Sequence, residues 1–101
     1  MKITGEKNEV FMCENCSDII LRKHFYSAQD YLNCLDYIKS LIADGKFEMV
    51  KQTCDLDKVK NENGCWVDDS ILHELKCKKC SARYTAHADT YHGGGGFVKE
   101  I

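Results

Sequence analysis

The sequence contains no proline. It also lacks any Gly/Ser-rich or low-complexity stretch long enough to act as a linker. Its 101 residues therefore read as a single domain, 1–101. No apolar run is long enough to span a bilayer, and the start, Met1-Lys2-Ile3-Thr4-Gly5-Glu6-Lys7, has no apolar signal core. No membrane association is expected. Charge of one sign is missing too: the formal net charge is -2 and the pI about 6.0. Nothing global calls for an anionic partner such as nucleic acid. Catalytic constellations are also absent, with no Ser/His/Asp set and no paired carboxylates. The four glycines at 93–96 do not form a phosphate cradle, because no Lys-Ser/Thr and no helix can follow them. They read as a mobile hinge that lets Phe97 fold back.

Cysteine is what the sequence has in quantity. There are seven, an odd number, which argues against a secreted disulfide framework. Four of them form two Cys-x-x-Cys pairs, Cys13-Glu14-Asn15-Cys16 and Cys77-Lys78-Lys79-Cys80. Zinc takes four tetrahedral ligands and binds thiolates well. A Cys-x-x-Cys turn puts two sulfurs on one side of a bend, where backbone N–H groups can donate to them. Each pair is half of such a site, so Cys13, Cys16, Cys77 and Cys80 are expected to share one structural Zn2+. A domain this small has a small core, and a structural zinc couples roughly 10–16 kcal/mol of binding free energy to folding. The spacing favours metal over disulfide in a reducing, cytoplasmic setting. A thiol redox protein is an alternative. However, a redox Cys-x-x-Cys normally opens a helix within a βαβ unit, and neither pair here does so.

The pattern around the pairs gives the fold class. The segments before and after each pair read as strands, with Val10-Phe11-Met12 and Ile19-Ile20-Leu21 about the first. The stretches 71–76 and 83–91 flank the second. Ser27 is a good N-cap, with Asp30 three residues on. Ala28, Tyr31, Leu35, Ile38 and Ile42 then recur at helical spacing, and Gly45 supplies a left-handed stop. A helix over 28–43 is predicted. A strand is expected over 47–54, followed by a charged connection that closes on Asn63-Gly64 and a short strand at 65–67. The expected fold is α+β: a small antiparallel sheet, one amphipathic helix, and two zinc-knuckle hairpins sharing one metal.

With its two knuckles, the chain resembles the zinc-ribbon group over 10–21 and 72–91. In that group two such knuckles sit at hairpin tips and share one metal. Ser17 and Ser81 stand where the group often has glycine, and the gap between the knuckles holds an inserted helix and strands. The run from Asp89 to Gly96 also resembles the tails of small bacterial zinc-binding proteins. The resemblance implies a structural zinc and no particular activity.

The remaining candidates are weaker. Cys34 falls inside the helix, and Cys54 and Cys65 flank the charged connection; packing is the expected role of all three. His87 and Asp89 would share a strand face, with His92 on the other, and a hydrogen-bonded surface pair is the expected outcome. His24 and His73 lie near the knuckles and could replace a cysteine, although four thiols already complete the shell. Arg22, Lys23, Lys76, Lys78, Lys79 and Arg83 cluster near the pairs. The stretch 44–74 carries eight acids (Asp44, Glu48, Asp55, Asp57, Glu62, Asp68, Asp69, Glu74) against four lysines (Lys46, Lys51, Lys58, Lys60). With no catalytic set, the expected function is a non-enzymatic zinc module engaging another protein through its acidic middle, as adaptor, regulator or toxin-neutralising partner. The alternative is a nucleic-acid-binding ribbon that uses the basic knuckle end with Tyr84.

Overall fold

The computed structural model describes residues 13–100. The expected strand at Val10-Phe11-Met12 lies outside them. The one α-helix among them, α1, spans Ala28–Ala43, as the periodicity predicts. Ser27 caps it in extended conformation, its hydroxyl accepting from Asp30 N at 3.1 Å. The Asp30 carboxylate reaches back to Tyr26 N at 3.0 Å rather than to the capping residue itself. Gly45 ends the helix with φ +79 and donates to Ile42 O.

Four strands follow: β1 Phe47–Gln52, β2 Ser70–Cys77, β3 Arg83–Asp89 and β4 Gly95–Lys99. They form one antiparallel sheet in the order β1-β2-β3-β4. The fold class is therefore α+β, as expected. Two local expectations fail. Ile19, Ile20 and Leu21 form no strand; Tyr37 Oη accepts from Ile20 N at 2.9 Å and holds them against α1. Trp66 makes only an isolated bridge to Lys60, and the connection before it contains a short 3-10 turn, Leu56–Lys58.

The glycine run is not a hinge. Gly95 and Gly96 belong to β4, paired with Ala88 and His87. The outer edge of β4 is covered by the segment after the first knuckle: Arg22 and Phe97 exchange both backbone hydrogen bonds, and Phe25 N donates to Gly95 O. That pairing protects an edge that would otherwise be open to other strands.

Alternation puts Ile71, His73, Leu75 and Cys77 of β2 on the inner face, with Tyr84, Ala86 and Ala88 of β3 and Phe97 of β4. The helix answers with Tyr31, Cys34, Leu35, Ile38 and Leu41. Cys34 thus packs in the core, as expected.

His73 is the one polar residue buried in this layer. Its Nε2 lies 2.7 Å from Cys54 O and donates to it, while Nδ1 finds no partner among the described residues. Burial holds its pKa below the ordinary value, against the hydrogen bond it donates to the Cys54 carbonyl and the Asp55 charge. The unfolded chain therefore binds the extra proton first as pH falls. Stability should be full above the unfolded value of about 6.5 and decline below it, until the folded imidazole also protonates. We expect the protein to lose melting temperature between neutral pH and pH about 5, and His73→Gln to flatten that slope. An unchanged slope in the variant would remove His73 as the cause.

Candidate metal centre

The first knuckle is a tight turn closed by hydrogen bonds from Cys16 N and Ser17 N to Cys13 O, at 3.0 and 2.8 Å. The second is the tip of the β2–β3 hairpin, where Cys77 N donates to Ala82 O and Ser81 N to Cys77 O. Ser81 has φ +67, the left-handed conformation that glycine adopts most readily.

The fold brings the two knuckles together. The Sγ atoms of Cys13, Cys16, Cys77 and Cys80 all lie within 4.8 Å of one another. Cys13 Sγ and Cys77 Sγ are 3.7 Å apart, and Cys16 Sγ and Cys80 Sγ are 3.5 Å apart. A zinc with bonds of about 2.3 Å to four sulfurs in a tetrahedron sets S···S edges of about 3.8 Å. The tetrad therefore has the dimensions and donor chemistry of a structural metal site. Cys77 is buried, Cys13 and Cys16 are half-buried, and Cys80 is exposed.

Several residues not evident from the motif hold the halves in register. Asn15 Nδ2 donates to Lys46 O at 3.3 Å and lies 3.7 Å from Cys77 Sγ. Lys78 N donates to the same Lys46 carbonyl at 3.0 Å. Lys46 sits between the helix stop and β1, so one carbonyl collects a hydrogen bond from each knuckle. Lys79 pairs with Glu14 at 2.7 Å across the two turns. The only sequence signal for these was position: Glu14, Asn15, Lys78 and Lys79 are the x residues of the two pairs.

The sulfurs differ in proton affinity. Burial pushes the Cys16 thiol up to about 12, although the neighbouring Tyr84 hydroxyl pulls the other way. Burial would raise Cys77 too, but the N–H groups of Cys80 and Lys79 donate to its sulfur, and with the Cys13 and Cys80 thiols they bring it down to about 6. Thiolate ligands must be deprotonated to bind a metal, so affinity will fall with acid.

Tyr84 is 1% exposed, its hydroxyl against Cys16. It faces the core and cannot act as the surface stacking aromatic of the nucleic-acid alternative. Neither knuckle opens a helix, contrary to what a redox dithiol needs. His73 is engaged by Cys54, and the tetrad includes no histidine. His87 bonds Ser70 Oγ at 2.8 Å, while Asp89 turns to His92, its Oδ2 3.3 Å from Nδ1. His87 and Asp89 therefore do not form the expected pair. Cys54 is half-buried, but Cys65 is exposed, so the packing role expected of Cys65 does not hold.

Compared with protein-family models, with curated proteins and with solved structures, the chain matches none. Among the described residues, no helix is long and apolar enough to cross a membrane.

Proposed function

We propose that this protein is a non-enzymatic module that carries one structural Zn2+ on Cys13, Cys16, Cys77 and Cys80 and engages another protein. The observation that carries the metal assignment is the convergence of four sulfurs within 4.8 Å from turns more than sixty residues apart in sequence. Four thiolates leave zinc no open position for water, so the ion serves the fold rather than a reaction.

Protein is favoured over nucleic acid as the partner because the basic cluster is largely neutralised from within. Arg22 pairs with Asp30 at 3.1 Å, Lys76 with Glu48 at 3.6 Å, Lys79 with Glu14 at 2.7 Å and Arg83 with Glu74 at 2.8 Å. Among the described residues, four of the six basic residues of this cluster are thus paired internally, and the net charge is -2, neither of which favours tracking a phosphate backbone.

Elemental analysis of the native, untagged protein should give one zinc per chain. Chelation should make the four tetrad thiols newly reactive and lower the melting temperature steeply. A metal-free native protein with freely reactive thiols would sink the metal assignment. Capture of one protein, insensitive to nuclease, would support the adaptor reading; binding that collapses as salt rises would point to nucleic acid instead.

A further inference from the structure

We propose that the cavity between the N-terminal end of α1 and the β3–β4 turn receives a cationic side chain, best a guanidinium, presented by a partner protein. The proposal rests on the reading of the protein as a protein-binding module, and names the surface and the chemistry of contact.

The cavity holds about 190 Å³ and is walled by Phe25, Tyr26, Tyr31 and Trp66, with Gly93 and Gly94 on the turn side. These aromatics come from the helix entry, the helix and the long connection before β2. They form a fixed row, with Phe25 and Tyr31 centroids 5.5 Å apart and Tyr31 and Trp66 5.7 Å apart. Tyr26 is 83% exposed, and Tyr91, just past Thr90 on the turn, is 74% exposed. Amphipathic aromatics left in solvent around a pocket are the composition of protein-binding anchor sites.

Charge selects the occupant. Asp89 lies in the wall. Thr90, also in the wall, is tied to the connection by its N–H to Asp69 O at 2.9 Å and its hydroxyl to Asp68 O at 2.5 Å. That places Asp68 and Asp69, both exposed, next to the cavity wall at Thr90. The partial positive charge of the helix N-terminus is answered by Asp30, which accepts from Tyr26 N and pairs with Arg22. Asp89 Oδ1 accepts from Tyr91 N and His92 N, and Asp68 Oδ1 from Asp69 N, so these two carboxylates are already engaged, but the negative charge of the three acids still disfavours an entering carboxylate and favours a cation. A guanidinium can stack on the aromatic faces while the negative charge of these acids favours it. The chain already uses this chemistry once: Lys60 Nζ sits 4.7 Å from the Trp66 ring centroid.

The test is to pan a random dodecapeptide display library on the zinc-loaded full chain and measure the selected peptides by fluorescence of Trp66, the only tryptophan. Selected peptides should share an Arg or Lys anchor. Replacing an Arg anchor by citrulline, or a Lys anchor by its Nε-acetyl form, which removes the charge, should weaken binding about tenfold or more. Tyr26→Ala and Asp69→Asn, both at exposed positions, should weaken it similarly while leaving zinc content and melting unchanged. Equal binding of the uncharged peptide would overturn the cationic assignment, as would selection of acidic or apolar anchors. Peptides that bind tightly but ignore both variants would overturn the pocket while leaving the protein-binding reading intact. If no peptide binds, and no protein partner is captured by the full chain, both readings fall together.

Discussion

Cys77→Ser is expected to abolish stoichiometric zinc binding and to unfold or loosen the whole fold. Cys77 ends β2 at 0% exposure and its sulfur meets both Cys13 Sγ and the Asn15 amide, so it is where sheet, knuckle and metal join. A structural zinc couples roughly 10–16 kcal/mol to folding. A domain's net stability is only about 5–15 kcal/mol. Losing even a third of the metal's contribution is comparable with the whole stability of a marginal fold. Near-UV circular dichroism, thermal melting and elemental analysis would read the outcome together. Cys34→Ser is the control. Cys34 packs in the helix–sheet core, burial pushes its thiol up to about 12, and it lies outside the tetrad, so zinc content should not change. A Cys77→Ser protein that folds and melts like the wild type would end the structural-zinc reading.

Gly95→Ala should cost about 3 kcal/mol or more, the largest effect expected of any change away from the tetrad. Gly95 has φ +120, which only glycine adopts without strain, and a Cβ there would lie 2.0 Å from His87 O. The obstacle is the backbone of β3, the neighbouring strand, so no side-chain movement relieves it. The shift would carry to Phe25, whose N–H donates to Gly95 O, and through it to the covering segment. Gly93→Asn makes a sharp contrast: φ is +85, a Cβ there meets nothing within 4 Å, and asparagine tolerates the left-handed region. Its effect should be well below that of Gly95→Ala. Chemical denaturation of the two variants would decide between a β4 strand and a free hinge, since a hinge would accept alanine at 95 without loss.

That contrast shows where the sequence could be read and where it could not. The helix was legible to the residue because every signal agreed: the Ser27 cap, the apolar spacing and the Gly45 stop all bear on one local segment. The strands β2 and β3 were legible from alternation, and the tetrad from spacing. β4 was not, because it opens on two glycines with no strand preference of their own. They are strand because they pair with Ala88 and His87 of β3, and glycine because the backbones of His87 and Lys23 come too close for a side chain; such a tertiary constraint leaves no mark in local propensity. The opposite error arose at Ile19-Ile20-Leu21, where apolar, β-branched residues suggested a strand. There the Tyr37 hydroxyl takes the Ile20 N–H that a sheet partner would have used. The Lys46 carbonyl, which joins the knuckles, was beyond sequence reasoning, because a backbone acceptor is the same atom in every residue.

The pairing of Cys13 with Cys77 across 64 residues also sets an order of events during synthesis. A ribosome adds roughly 5–20 residues per second, so the first two ligands emerge about 3–13 s before the second pair is made. During that interval Cys13 and Cys16 are an open dithiol with two ligands missing. A metal ion held there at that stage would need water or a foreign donor to complete its shell. The four sulfurs come together in the β2–β3 hairpin and the first knuckle, so on the structural-metal reading forming that hairpin is the step at which the nascent chain would commit to its ion.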